Sequence, residues 1–226
     1  MTHVAGLDLA AGRGHTALAM LEIGGNADAP PCLDAVLPSL ATDAEIVAAL
    51  ALQQPEVLAI DAPLSLPARV AAALGLTADD TLNPEASPYT RAAERDPVWR
   101  ALGVRPLPVS FLGGLTFRAL ALLPLLRAAL PETAIVETFP SGTLAALGIR
   151  ASAAGGRRPA KTTPQARAIV QAGLRTHISG LPDPAAELLD ADTLDALACA
   201  LTAVAFLRGA YRTAGDAHEG QIILPT

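Results

Sequence analysis

The stretch Val57-Leu58-Ala59-Ile60-Asp61-Ala62-Pro63-Leu64 decides how the rest of the chain is organised. Its first four residues are apolar with β-branched ends, which is typical of a strand buried on both faces. Asp61 follows at once, and Pro63 cannot continue the hydrogen-bond ladder of a sheet. Open α/β sheets bind their ligands at the carboxyl ends of strands. Asp61 is therefore the first candidate for chemistry, with a turn cap as the structural alternative.

The composition fits one large α/β domain over residues 1–226. Hydrophobic residues make up 51% of the chain, but Pro124 and Arg127 interrupt the richest run, which is too short to span a membrane. The start shows no secretory signal and the two cysteines show no metal or disulfide spacing, so we expect a cytoplasmic protein. At 3% of the chain, the aromatic residues are expected to pack inside rather than to stack on bases.

Periodicity and chain-breaking residues predict three strands, a helix and then the Asp61 strand. The three strands are expected over residues 3–9, 16–23 and 32–37, and the helix over 43–54. Thr42 and Glu45 have the spacing of a capping box for that helix. Within the first strand, Gly6 would let a neighbouring element approach closely.

A helical insertion is predicted after the Asp61 strand, over about residues 66–130, and Pro124 should kink its last helix. The chain then returns to the sheet. The elements predicted there are a strand over 134–139, a basic loop over about 149–162, a helix over 163–174 and a last helix over about 190–208. The last helix should bury the stripe Leu194, Leu197, Leu201 and Val204.

Carboxylates recur at the ends of the predicted elements. Asp8 ends the first strand, and Glu137 ends a later strand just before Pro140. Asp192 and Asp195 are three residues apart, so both project from one side of the first turn of the last helix. Acidic residues there also complement the helix dipole, which is the structural alternative. Together with Asp61, these residues form a set of carboxylates that the fold could bring together.

The charge along the chain is uneven, although the net charge of −6 argues against non-specific coating of nucleic acid. No acidic residue occurs between Glu137 and Asp183. That interval contains the cations Arg150, Arg157, Arg158, Lys161, Arg167 and Arg175. A solvated loop is the commoner reason for such a run, and a patch for a phosphate-bearing substrate is the functional one.

The order of elements, with Ile60-Asp61 at the fourth strand and an Asp-x-x-Asp on the last helix, resembles the RNase H-like fold in its nuclease and resolvase branch. The motifs that carry a closer resemblance are Gly6-Leu7-Asp8, Ile60-Asp61-Ala62-Pro63-Leu64, Glu137-Thr138-Phe139-Pro140-Ser141, Asp192-Thr193-Leu194-Asp195-Ala196-Leu197-Ala198 and Glu219-Gly220-Gln221-Ile222 before Pro225. This set is similar to the family called domain of unknown function 429. The resemblance covers nearly the whole chain and implies a mixed five-stranded sheet flanked by helices, with a predicted nuclease activity.

The set of carboxylates also predicts a chemistry, independently of the resemblance to the family. Several carboxylates at one sheet edge raise each other's pKa unless a cation neutralises them. Oxygen ligands favour Mg²⁺ or Mn²⁺, and two such ions would activate water and stabilise the leaving oxygen of a phosphodiester in nucleic acid or a nucleotide. We expect Asp8, Asp61 and Asp195 to bind metal, with Asp192 or Glu137 tuning the second ion or orienting water. The predicted phosphate-binding residues are Arg118, Arg157, Arg158 and Lys161.

Two other interpretations stay open at this stage. The stretch from Asp8 to Thr16 also resembles the first phosphate-binding hairpin of sugar kinases and actin-like ATPases. Those proteins need two further nucleotide-binding loops, and the sequence contains neither pattern. The other interpretation is an inactive scaffold that binds a partner through the helical insertion.

Overall fold

The computed structural model describes residues 1–12, 15–26, 29–76, 86–149 and 163–226. Within these residues, seven strands form one sheet in the order β3-β2-β1-β4-β5-β7-β6. The strands are β1 Thr2–Asp8, β2 Thr16–Ile23, β3 Cys32–Leu40, β4 Val57–Asp61, β5 Ala134–Thr138, β6 Tyr211–Asp216 and β7 Gly220–Pro225. The predicted basic loop over about 149–162 lies, from residue 150 onward, outside the described residues.

The sheet is mixed, as predicted. Strands β1, β2 and β3 pair antiparallel, whereas β1, β4, β5 and β7 are parallel to one another. The order β3-β2-β1-β4-β5 with helices on both faces gives the chain the RNase H-like fold. The prediction of five strands is wrong, because the β6–β7 hairpin adds two more beside β5. The sequence of β6 is polar and ends near glycines, so it lacks the apolar alternation by which a strand is recognised.

Eight helices occur in the described part of the chain. They are α1 Asp43–Gln53, α2 Ala68–Ala73, α3 Ala92–Arg95, α4 Val98–Leu102, α5 Gly113–Ala129, α6 Pro140–Ala146, α7 Pro164–Leu174 and α8 Ala191–Leu207. The capping box of α1 is confirmed, since the Thr42 side chain accepts from the Glu45 amide and Glu45 accepts from the Thr42 amide. Helices α2 to α5 lie between β4 and β5, where the insertion is predicted, and Pro124 lies within α5.

Helix α8 covers one face of the sheet, and α1 and α5 cover the other. The predicted stripe of α8 is confirmed, because its four residues are all buried. Gly6 is where α8 meets β1. A Cβ atom there would lie 2.1 Å from the Ala200 amide nitrogen and 2.2 Å from the Ala196 carbonyl oxygen. The helix backbone therefore rests directly on the strand, as the glycine predicts.

The aromatic residues do not all pack inside. Trp99 is buried and meets the Phe139 ring edge-on, with 5.7 Å between ring centroids. Phe111 and Phe117 are 80% and 68% exposed, so the prediction that the phenylalanines are packing residues is wrong for these two. Phe117 lies outside the row of α5 residues that faces the core, and Phe111 lies in the turn before α5.

None of the helices in the described ranges combines the length and the apolar character that crossing a membrane requires.

Candidate functional site

Asp8 and Asp61 lie side by side at one edge of the sheet. They end the adjacent parallel strands β1 and β4, and the register pairs Asp8 directly with Asp61. Paired residues on neighbouring strands project to the same face. Both residues are partly exposed to solvent. The structure therefore brings together the first two residues of the predicted metal site.

Glu137 ends β5 but belongs to the other face of the sheet. The register pairs it with Ile60, the residue before Asp61. Because side chains alternate along a strand, Ile60 and Glu137 project opposite to Asp61 and Asp8. Packing agrees with this alternation, since Ile60 packs with Leu126 of α5, whereas Val4, on the face of Asp8, packs against α8.

The first turn of α8 lies at the edge where β1 ends. Asp190 caps the helix through the Thr193 amide at 2.6 Å. Asp192 lies 3.6 Å from the imidazole of His15, which immediately precedes β2. Asp195 is partly buried and borders a narrow cleft together with Arg167 of α7. The structure thus places the acidic end of α8 on the same face and at the same edge as Asp8.

The donor chemistry of the Asp8 and Asp61 pair fits a divalent cation. Hard cations take carboxylate oxygens, and two aspartates in register present such oxygens from a rigid sheet. In the described ranges, no group of three or more His, Cys, Asp and Glu residues is already arranged to hold a metal ion. A metal site here would therefore start from the strand pair, with Asp195 of α8 as the further ligand.

Glu137 is at the centre of a buried ionic cluster, which we define as Arg91, Glu94, Glu137 and Glu219. The two oxygens of Glu137 accept hydrogen bonds from both terminal nitrogens of Arg91. The Leu64 amide, three residues after Asp61, donates to the same carboxylate at 2.9 Å. Glu137 therefore ties the loop after β4 to β5.

Arg91 uses every hydrogen it can donate from its guanidinium group. Its Nε donates to Glu94, one terminal nitrogen donates to Ser65 and Glu137, and the other donates to Glu94 and Glu137. The side chain is only 1% exposed. A buried guanidinium and its carboxylates are costly to separate, so this cluster fixes the relative position of its elements.

Glu219 extends the ionic cluster to the β6–β7 hairpin. Its carboxylate accepts hydrogen bonds from the amides of Ala68 and Ala92, the first residues of α2 and α3. Its carbonyl oxygen accepts from the Ser65 hydroxyl at 2.6 Å. Gly220 is required beside it, because a Cβ atom there would lie 2.2 Å from that hydroxyl oxygen and its φ is +91°.

Arg91 and Glu137, at the centre of the cluster, shift each other's pKa. Burial raises the pKa of the Glu137 carboxyl group, and the hydrogen bonds and charge of Arg91 oppose that rise. Burial by itself lowers the pKa of Arg91, but the hydrogen bonds and charges of Glu137 and Glu94 outweigh it and raise the pKa above its ordinary value. Arg91 therefore keeps its positive charge inside the buried cluster.

Among the predicted phosphate-binding residues, the structure describes Arg118. Its guanidinium contacts Asp43 at 2.8 Å and donates to the carbonyl oxygens of Ala10 and Gly12 and to the Thr16 hydroxyl. Arg118 thereby holds the turn between β1 and β2, just after Asp8. Its phosphate role stays a prediction. Arg157, Arg158 and Lys161 lie outside the described residues.

A cavity of about 170 Å³ lies between the ionic cluster and Asp61. It is bordered by Asp61, by Arg91, Glu94 and Glu137 of the cluster, and by apolar residues of the insertion. The sequence reasoning missed Arg91, Glu94 and Glu219 as site residues. Glu219 belongs to one of the motifs quoted from the sequence, but no role was predicted for it. The local signal for Arg91 and Glu94 is that two opposite charges stand three residues apart.

Comparison with known proteins matches the chain to a family, and the solved structures that match it include two of RuvC. The family model described as "Protein of unknown function (DUF429)" matches residues 6–219. RuvC of T. thermophilus in complex with a Holliday junction substrate is 14% identical, with a TM-score of 0.49. A second Thermus thermophilus RuvC structure is 16% identical, with a TM-score of 0.47. Each comparison covers 98% of this chain and 100% of the other. Among curated proteins, none is significantly similar to the chain.

Proposed function

The chain belongs to the DUF429 family, and from this premise we propose that it is a metal-dependent phosphodiester hydrolase that acts on nucleic acid or on a nucleotide. The observation that carries the proposal is the register of Asp8 with Asp61 at the carboxyl edge of the sheet. Two like charges held side by side on rigid strands destabilise each other, so the arrangement favours a cation.

The proposed ligands supply only oxygen. Asp8 and Asp61 contribute carboxylates from adjacent strands, and Asp195 contributes a third from α8. Oxygen ligands select Mg²⁺ or Mn²⁺ rather than zinc. Such an ion, or a pair of ions, would activate water and stabilise the charge that develops on the phosphodiester.

Other residues have positioning or binding roles in this proposal. Arg118 holds the turn that follows Asp8, and the Glu137–Arg91 pair holds the loop that follows Asp61. Asp192, beside His15 at the same edge, would orient water or a second ion. The acid-free basic interval that contains Arg157, Arg158 and Lys161 would hold the phosphate backbone.

The first test measures cleavage of DNA, RNA, hybrid, branched and nucleotide substrates with Mn²⁺. Asp61→Asn keeps the size of the side chain but removes the charge that holds a cation, so cleavage should fall by orders of magnitude. Asp34→Asn is the matched control, because Asp34 lies beside His3 at the opposite end of β1. If the protein cleaves none of these substrates, or if Asp61→Asn cleaves them as well as the wild type does, the proposal is wrong.

A second test measures metal binding without substrate. A ligand that binds only the folded state stabilises it by about 2.7 kcal/mol at a concentration one hundred times its dissociation constant. Mn²⁺ should therefore raise the melting temperature of the wild type and of Asp34→Asn, but not that of Asp61→Asn. An equal rise in all three proteins would place the metal elsewhere.

A third test separates substrate binding from chemistry. Neutralising Arg157, Arg158 and Lys161 together should weaken substrate binding and reduce its salt dependence by about one unit of slope for each lost phosphate contact. The melting shift caused by Mn²⁺ should not change in this variant. A salt dependence equal to that of the wild type would remove these residues from the substrate site.

A further inference from the structure

The cavity beside Asp61 has an apolar wall built by four parts of the chain. The loop after β4, the insertion, the end of β5 and β7 contribute apolar residues that include Pro63, Leu107, Leu112, Leu115, Phe139 and Ile222. The volume of about 170 Å³ is below the roughly 300–1,000 Å³ of pockets that hold drug-sized ligands. The cavity is therefore suited to one small ring system rather than to a large molecule.

Among the described residues that border the cavity, carboxylates can accept hydrogen bonds, whereas the side-chain donors are already engaged. All five guanidinium hydrogens of Arg91 are already used within the ionic cluster and on Ser65. The Thr138 hydroxyl contacts Thr202 and the Ile223 carbonyl oxygen. Carboxylate oxygens can each accept more than one hydrogen bond, so those of Glu94 and Glu137 can still receive an N–H group.

The charges around the cavity oppose an anion. Among the described residues, two carboxylates, those of Glu94 and Glu137, and one guanidinium group, that of Arg91, border it, and Asp61 borders it from the end of β4. A phosphate group placed inside would meet this negative surplus at short range, whereas an amino group would be attracted. The ligand part that enters the cavity must therefore be uncharged or positive, apolar on its faces and rich in N–H donors.

The mouth of the cavity is also apolar. Leu107 borders the cavity and is 58% exposed. Phe111 is 80% exposed and precedes the bordering residue Leu112 in the chain. Large apolar groups left open to water around a pocket indicate a binding surface. A flat ring entering the cavity would cover the exposed part of Leu107.

We propose that this cavity binds an unpaired nucleobase that carries an exocyclic amino group, next to the phosphodiester that Asp8 and Asp61 would hydrolyse. The proposal rests on the proposed function and narrows its substrate class. A base inside a duplex cannot enter such a cavity, so the substrate must present a single-stranded or extruded nucleotide. The amino group donates to the carboxylates of Glu94 or Glu137, and the ring packs on the apolar wall.

The test measures binding of nucleosides to the full-length protein without divalent metal, so that cleavage plays no part. Adenosine and purine riboside differ only in the amino group, and both lack phosphate. Because a hydrogen bond to a charged group contributes to affinity, titration followed by ligand-observed NMR should show adenosine binding at least about tenfold more tightly. Equal affinities, or no adenosine binding up to its solubility limit, would overturn the proposal.

A matched pair of variants locates the binding site. Leu107→Arg removes part of the apolar wall and brings a cation to the mouth, so adenosine affinity should fall at least about tenfold. Leu125→Arg makes the same change at a residue of α5 that is 53% exposed and does not border the cavity. It should leave the affinity unchanged. Equal losses in the two variants would place the nucleoside elsewhere and overturn the proposal.

The outcome is separate from that of the cleavage tests. If adenosine is preferred and Leu107→Arg abolishes its binding while no substrate is cleaved, the base site stands and the hydrolase proposal is wrong. If nucleic acid is cleaved but adenosine and purine riboside bind equally, the hydrolase proposal stands and the base site is wrong.

Discussion

Carboxylates on the two faces of the same sheet edge have different surroundings. On the insertion face, Glu137 is buried and accepts hydrogen bonds from Arg91 and from the Leu64 amide. On the α8 face, Asp8 and Asp61 are partly exposed and stand in register on neighbouring strands. A shift of one residue along a strand separates the two environments, because successive side chains project to opposite faces.

This difference distinguishes carboxylates that hold the fold from those suited to chemistry. A buried carboxylate surrounded by donors stabilises its neighbours and has little freedom to change partners. Paired aspartates at an accessible edge can be neutralised by a cation from solution. Three changes test whether this distinction is real, in order of decreasing effect.

The largest effect is expected from Arg91→Met, which keeps the length of the side chain and removes its charge. Glu94 and Glu137 would then be buried without their cation, which should lower the free energy of unfolding by about 3–5 kcal/mol. Urea unfolding measures the loss. Arg127→Met, at an exposed position in the last turn of α5, should cost less than about 1 kcal/mol. Similar losses in both variants would show that the ionic cluster does not hold the insertion.

A smaller effect is expected from Gly6→Ala on the other face. The new methyl group would meet the backbone of α8 at Ala196 and Ala200, so the helix must move away from β1 at a cost of about 1–3 kcal/mol. The movement should also displace Asp195 and reduce the melting shift caused by Mn²⁺. Gly24→Ala is the control, because a Cβ atom there has no neighbour within 4 Å. An unchanged metal response in Gly6→Ala would remove α8 from the metal site.

The smallest effect is expected from Glu45→Gln in the capping box of α1, a carboxylate at the surface. Hydrogen bonds from the Ala41 and Thr42 amides lower the pKa of Glu45 below its ordinary value of 4.5. The stability that Glu45 contributes is therefore fully present above pH 4.5. It is lost as the pH falls through the lowered pKa of the folded state. Urea midpoints measured against pH should show a shallower decline in the variant over this window. Identical slopes would contradict the assigned hydrogen bonds.

The sequence predicted most of the elements that position the site, because their signals are local. The apolar run before Asp61, the Thr42 and Glu45 capping box and the apolar stripe of α8 each depend on neighbours within a few residues. Gly6 predicted that a neighbouring element approaches β1 closely, but the sequence did not show that this element is α8. The β6–β7 hairpin was missed, because the polar β6 lacks the apolar alternation of a strand, and only the structure shows that β7 pairs with β5.

The candidate site also has one part that the sequence predicted and another that only the structure shows. From the sequence, Asp8, Asp61 and Glu137 look alike, since each follows an apolar strand and precedes a turn. Only the register shows that Asp8 and Asp61 share a face while Glu137 belongs to the other. No local pattern predicts that Arg91 crosses to Glu137, because the two are 46 residues apart. Residue type and spacing determined which groups could do chemistry, and the pairing of distant strands decided which of them meet.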